Sequence, residues 1–210
     1  GTMKLIAVTI GFQTTLVLRS LLRHSVEKGD LVYVIAADTT DEYARAKVIN
    51  AVKDIESVVG NVNVIYVKPS NLVDSVKALV NMFNKANEVD EVLLVLSGGM
   101  RALLIEVLLT AIHKVPSTKK TIIHAELENL ENYIEIPLNL LKINISREEK
   151  EILRTLKESP MNLSELSRTL GKPKTTIFRK LRKLINLNLV DRRNNNYSVN
   201  KWGEIILSLE

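Results

Sequence analysis

The sequence contains no cysteine, which removes disulfide frameworks and thiolate metal sites from consideration. Aromatic residues make up only 4%, so any core must be built from aliphatic side chains, which 46% hydrophobic content supplies. No apolar run reaches the roughly 18 residues that a membrane-spanning helix needs. The apolar run that begins at Lys4 is short and no cleavage-type region follows it, so no secretory signal is read and a cytoplasmic protein without a membrane partner is expected. Gly1 and Thr2 precede the first methionine, Met3, and are set aside. Internal repeats and low-complexity segments are missing too. A length of 210 residues accommodates one large domain or two small ones.

Charge is present, and it is unevenly placed. Residues 143–210 hold 14 Lys and Arg against 8 Asp and Glu, a net of +6, so the rest of the chain is close to neutral at −1. A basic module attached to a neutral one suggests nucleic-acid binding confined to the carboxyl third.

Up to residue 137, apolar β-branched runs alternate with helical spacing. Lys4–Ile10, Leu31–Ala37, Val62–Val67 and Glu91–Leu96 read as buried strands. The segments 13–27, 41–59, 71–87 and 101–115 between them read as helices. Two further strands, Thr121–Ala125 and Tyr133–Ile136, follow, the last antiparallel. Continuous apolar strands separated by helices indicate a mostly parallel sheet covered on both faces, so the fold class is α/β with Rossmann-like winding. Domains are expected at 3–137 and 146–210, with 138–145 as a linker.

The basic module reads helix, helix, Gly171, helix, β-hairpin, the order of a winged helix-turn-helix. Ser146 with Glu149 and Asn162 with Glu165 form capping boxes that open its first two helices. In the third, Ile177, Leu181, Leu184 and Ile185 share one stripe. Lys174, Thr175, Thr176, Arg179, Lys180, Arg182 and Lys183 turn away from it, preceded by Lys172. Arg192 and Arg193 begin the hairpin, whose turn is Asn194-Asn195-Asn196. Cations attract phosphates and read guanine, and threonine reaches phosphates or base edges, so double-stranded DNA is the expected partner. A solvated basic face used for protein contacts is the plainer alternative, and the charge excess weighs against it.

In an open α/β sheet, ligands bind beyond the carboxyl ends of the strands where strand order reverses, here between strands one and four. The loops at those two positions are Gly11-Phe12-Gln13-Thr14-Thr15 and Ser97-Gly98-Gly99-Met100-Arg101. Their glycines, hydroxyls, helix starts and arginine suit an anion. Neither loop is a G-x-G-x-x-G dinucleotide fingerprint nor a P-loop.

These two loops with the appended winged helix resemble the CRISPR-associated Rossmann-fold (CARF) regulators, most of all the archaeal type that accompanies CRISPR loci. The resemblance implies a homodimer that binds cyclic oligoadenylate, typically cyclic tetra-adenylate, across its two-fold axis and addresses promoters of CRISPR-related genes. It implies ligand contacts from Gly11, Phe12, Gln13, Thr14, Ser97, Gly98, Gly99, Met100 and Arg101. Many members carry an acid shortly before the double glycine, where this chain has Val95 and Leu96.

No catalytic residue, metal or cofactor is expected, and the protein is read as a regulator rather than an enzyme. Arg19 to His24 matches the R-x4-H spacing of HEPN ribonucleases, but it falls in the first helix of the α/β domain, so Arg23 and His24 are expected on a solvated helix end. His113 and His124 have no partners at metal-binding spacing. Two alternatives stay open: a ring nuclease that cleaves cyclic oligoadenylate in the same pocket, and a winged-helix regulator that senses another small anion.

Overall fold

A computed structural model describes residues 2–209. The chain divides into two compact units, ending and starting at Leu141 and Lys142.

In the first unit the elements are β1 (Lys4–Ile10), α1 (Thr15–Arg23), β2 (Leu31–Ala37), α2 (Glu42–Val59), β3 (Asn63–Val67), α3 (Leu72–Phe83), β4 (Glu91–Val95), α4 (Arg101–Lys114), β5 (Lys120–Glu126) and β6 (Tyr133–Pro137). The sheet order is β3-β2-β1-β4-β5-β6. All pairs are parallel except β5–β6, which is antiparallel. β1 occupies the centre, and every residue after Lys4 in it is buried. Successive side chains of a strand face opposite ways, so Leu5 and Ala7 join one core while Ile6, Val8 and Ile10 join the other. The first core is closed by Leu79, Met82 and Phe83 of α3 and Leu103, Val107 and Ala111 of α4. Val17 and Leu21 of α1 and Val48, Val52 and Ile55 of α2 close the second. Helices on both faces of a parallel sheet make this a Rossmann-like α/β domain.

Three boundaries differ from those read in the sequence. α1 stops at Arg23 rather than continuing to Glu27, because His24 adopts an extended backbone (φ −111°, ψ 122°). α3 tightens into a 3-10 turn over Asn84–Glu88. In the stretch expected to link the domains, Leu138–Leu141 forms another 3-10 turn, and Leu138 is fully buried in the first unit's core.

The second unit runs α5 (Arg147–Glu158), β7 (Met161–Asn162), α6 (Leu163–Leu170), α7 (Lys174–Asn186), β8 (Val190–Arg193), β9 (Asn196–Val199) and α8 (Lys201–Ser208). This is a winged helix-turn-helix, with β8 and β9 forming the hairpin and β7 pairing on the other side of β9. Two residues carry no periodicity, so β7 has no sequence signature of its own. Gly171 ends α6 in the left-handed conformation (φ 62°), and Asn194 does the same at the tip of the hairpin (φ 54°). Ile177, Leu181 and Leu184 hold α7 on its scaffold as buried residues.

Candidate functional site

The two glycine loops meet. A methyl group on Gly11 would lie 3.5 Å from the Gly99 backbone. Gly99 has φ +92°, a conformation only glycine adopts without strain, and a methyl group there would sit 3.3 Å from the Ile10 carbonyl oxygen. A methyl group on Gly98 would approach Val17 Cγ2 to 2.8 Å and the Thr9 carbonyl oxygen to 3.1 Å. The Thr9 hydroxyl donates to the Gly98 carbonyl at 2.6 Å. The ends of β1 and β4 are thus held together by contacts too close for side chains.

Above this joint opens a cleft of about 980 Å³. Gly11, Phe12, Gln13, Ser97, Gly98, Gly99 and Met100 line it. Thr14 and Arg101 lie outside its wall. The Thr14 hydroxyl donates to Asp54 at 3.2 Å, and Arg101 is an exposed first residue of α4. Ser97 reaches the wall with its hydroxyl already engaged: it accepts the Glu126 N–H at 2.9 Å and lies 2.6 Å from the Ser20 hydroxyl. Ser20 spends its own proton on the Leu16 carbonyl at 2.9 Å, so Ser97 is the donor between the two serines.

A third wall escaped sequence reasoning. Ala37, Asp38 and Thr39 at the end of β2, with Ala44, Lys47, Val48 and Asn50 of α2, complete the cleft. The Lys47 ammonium sits 4.5 Å from the ring centre of Tyr43 and 5.2 Å from that of Phe12. Both rings are more than half exposed. The available signal was Tyr43 and Lys47 four residues apart at the start of a helix, one turn from the strand end.

The helix starts are not alike. α2, α3, α5, α6 and α8 each open on a side-chain cap, from Asp41, Asn71, Ser146, Asn162 and Asn200, and each has an acid in its first turn. α1, α4 and α7 have neither. First-turn N–H groups without a cap carry partial positive charge and accept an anion readily. Two of these three starts follow the glycine loops; the third is the helix-turn-helix turn.

On α7 and before it, Lys172, Lys174, Thr175, Arg179 and Arg182 are exposed, and Thr176 is half-buried. Lys180 and Lys183 are differently placed. Lys180 Nζ lies 3.0 Å from Glu148, whose carboxyl that bond and charge hold below the usual range. Lys183 donates to the buried Glu149 at 2.9 Å. The α7 stripe therefore mixes exposed cations with cations engaged on α5. Arg192 and Arg193 are exposed on β8, with the Arg192 guanidinium 5.5 Å from the Tyr197 ring centre.

One expectation is corrected. Arg23 is exposed and His24 half-buried at the end of α1, but neither is a free solvated side chain. Arg23 donates to Glu126 at 2.7 Å and sits 4.3 Å from the Tyr133 ring centre. His24 Nε2 lies 3.0 Å from His124 Nδ1 and 3.1 Å from Glu135. The last turn of α1 is bound to the β5–β6 edge, through residues about a hundred positions away. His124 accordingly has neighbours of metal-ligating type that spacing along the chain hid.

Among known proteins, the family model described as the Csa3 CRISPR-associated Rossmann-like domain matches residues 4–137. The model for the N-terminal domain of the methanogenesis regulatory protein FilR1 matches residues 140–209. No curated protein matches. Among solved structures, protein VC1899 from Vibrio cholerae is similar at 12% identity and a TM-score of 0.43, over 97% of this chain and 64% of that one, so the present chain spans less than two thirds of its length.

Proposed function

The chain belongs to the Csa3 CRISPR-associated Rossmann-like domain family, and from that premise we propose a CRISPR-associated transcriptional regulator that binds a cyclic oligoadenylate in the cleft and double-stranded DNA through α7. One observation carries this reading. Among the described residues, the helices that lack both a cap and a first-turn acid are the two that start at the cleft and the one at the helix-turn-helix, where phosphates would dock.

The ligand would be a cyclic tetra-adenylate. Glycine-lined backbone and the α1 and α4 starts would hold phosphates, and the exposed rings of Phe12 and Tyr43 offer stacking surfaces for adenine. A second copy of the chain would complete the site. α4 is apolar around much of its circumference, and Met100, Ile105 and Leu109 stand exposed where a surface helix would be polar. The protein would hold its ligand rather than cleave it. Linear products after incubation with cyclic tetra-adenylate would replace this reading with a ring nuclease.

In DNA binding, Lys174, Thr175, Arg179, Arg182, Arg192 and Arg193 would do most of the contacting, and Lys180 less because Glu148 engages it. The test pairs calorimetry with cyclic tetra-adenylate and fluorescence anisotropy with duplexes from promoters of CRISPR-related genes. Arg179→Ala should weaken DNA binding by about tenfold, lower the salt slope by about 1, and leave ligand binding intact. If Arg179→Ala weakens ligand binding as much as DNA binding, the division of labour is wrong.

A further inference from the structure

We propose that the first unit carries a divalent transition-metal site, best suited to zinc, formed by His24 at the end of α1, His124 of β5 and Glu135 of β6. The three donor atoms form a near-equilateral triangle: His24 Nε2 to His124 Nδ1 is 3.0 Å, His124 Nδ1 to Glu135 Oε1 is 3.0 Å, and His24 Nε2 to Glu135 Oε1 is 3.1 Å. Zinc held at 2.0–2.1 Å by a tetrahedral ligand set spaces its donors roughly 3.3 Å apart. Each edge is therefore within a few tenths of an ångström of one face of that tetrahedron. His124 and Glu135 are direct cross-strand partners in the β5–β6 register, so the sheet itself sets one edge.

Without a cation the triangle is badly served. Each neutral imidazole has one N–H, and no arrangement of the two protons gives linear hydrogen bonds along all three edges. His124 is fully buried, and its other nitrogen, Nε2, has no hydrogen-bond partner; the nearest carboxylate oxygen, Glu126 Oε2 at 3.4 Å, has none either. If Nδ1–H points at Glu135, the bare Nε2 lone pair faces a carboxylate. A metal on Nδ1 removes that conflict, because Nε2 must then carry the proton and donate it toward Glu126. A carboxylate behind the distal nitrogen is the arrangement that orients metal-bound histidines.

The surroundings fit a held ligand set. Tyr133 stacks on the His124 ring at 4.9 Å with 14° between planes, and Arg23 fixes Glu126. Beside the triangle a cavity of about 200 Å³ is lined by His24 and Glu135 together with Lys4 and Lys120. It leaves room for water or a small anion as the fourth ligand.

The probe is cobalt(II), titrated into the full-length protein after chelator treatment and dialysis, with zinc as competitor. One equivalent should produce the strong visible absorption of tetrahedral cobalt, and zinc should bleach it. His24→Gln and Glu135→Gln should each weaken binding by about a hundredfold, and Glu126→Gln by about 10–100-fold. His113→Gln should leave it unchanged. Circular dichroism in chelator checks that the variants fold. Absent absorption, binding only at millimolar metal, or unaltered binding in the folded His24→Gln and Glu135→Gln variants would each overturn the site.

Discussion

Placing an acid at the start of α4 should stabilise the protein and weaken the ligand binding proposed for the cleft. Met100 occupies the cap position with φ −67° and ψ 143°, the extended backbone that a capping Asp or Asn prefers, yet it provides no side-chain acceptor. Met100→Asp should add about 1 kcal/mol by capping, with about 0.5 kcal/mol more from the helix dipole. For a chain of this size each kcal/mol is worth roughly 2–4 °C in Tm. The same carboxylate would stand at the cleft wall. At about 6 Å from a bound phosphate, and an effective dielectric of about 20, repulsion costs about 3 kcal/mol, and about half that where the cleft admits water. Affinity should fall by about ten- to a hundredfold. Thermal melting and calorimetry with cyclic tetra-adenylate read the two effects separately. Met100→Asn supplies the cap without the charge and should gain stability with little loss of affinity; Met100→Ala controls for the lost side chain. A Met100→Asp protein that melts higher and binds as tightly as the parent would refute the placement of phosphates at this helix start. Equal weakening by Asp and Asn would show that the methionine, not the charge, matters.

Two further outcomes test the architecture around the cleft. Gly98→Ala should destabilise the domain by about 1–3 kcal/mol, because the Thr9 carbonyl is backbone and cannot yield to a new methyl group even if Val17 does; chemical denaturation measures this, and unchanged stability would mean the loops are looser than described. Burial holds the Glu106 carboxyl on α4 above the usual carboxylate range, so the folded protein favours its protonated form. That contribution is fully present below the unfolded pKa and is lost as pH rises through the folded one. Glu106→Gln should therefore melt above the parent at about pH 7, with the gap narrowing toward about pH 4; a gap that widens on acidification would reverse the assignment.

The sheet was legible in the sequence because its strands are continuous apolar runs and its helices carry clear stripes. Strand order followed from the winding, which places β4 beside β1 and brings Gly11 to Gly99. Capping at Ser146 and Asn162 was equally plain, since a cap and its acid stand three residues apart. What stayed hidden depends on distance along the chain. Lys183 meets Glu149 from 34 residues away, and His24 meets His124 from 100. The wall formed by Asp38, Lys47 and Asn50 carries no sequence motif, because α2 approaches the cleft through ordinary polar residues. Arg101 looked like a phosphate ligand by type and position, yet it lies outside the cleft wall.

The central place of β1 has a consequence for the order of assembly. Its first partner, β2, emerges shortly after it, but its second, β4, lies 87 residues further along, at the Lys4–Glu91 pair. During synthesis this deeply buried strand must wait with one edge unpaired while three helices and two strands are made, and such non-local closure is slow and prone to misassociation. Residues 97–100 follow directly on that closing strand. The chamber between the glycine loops thus comes into being only as the sheet is sealed, and a nascent chain arrested before that point has no cleft.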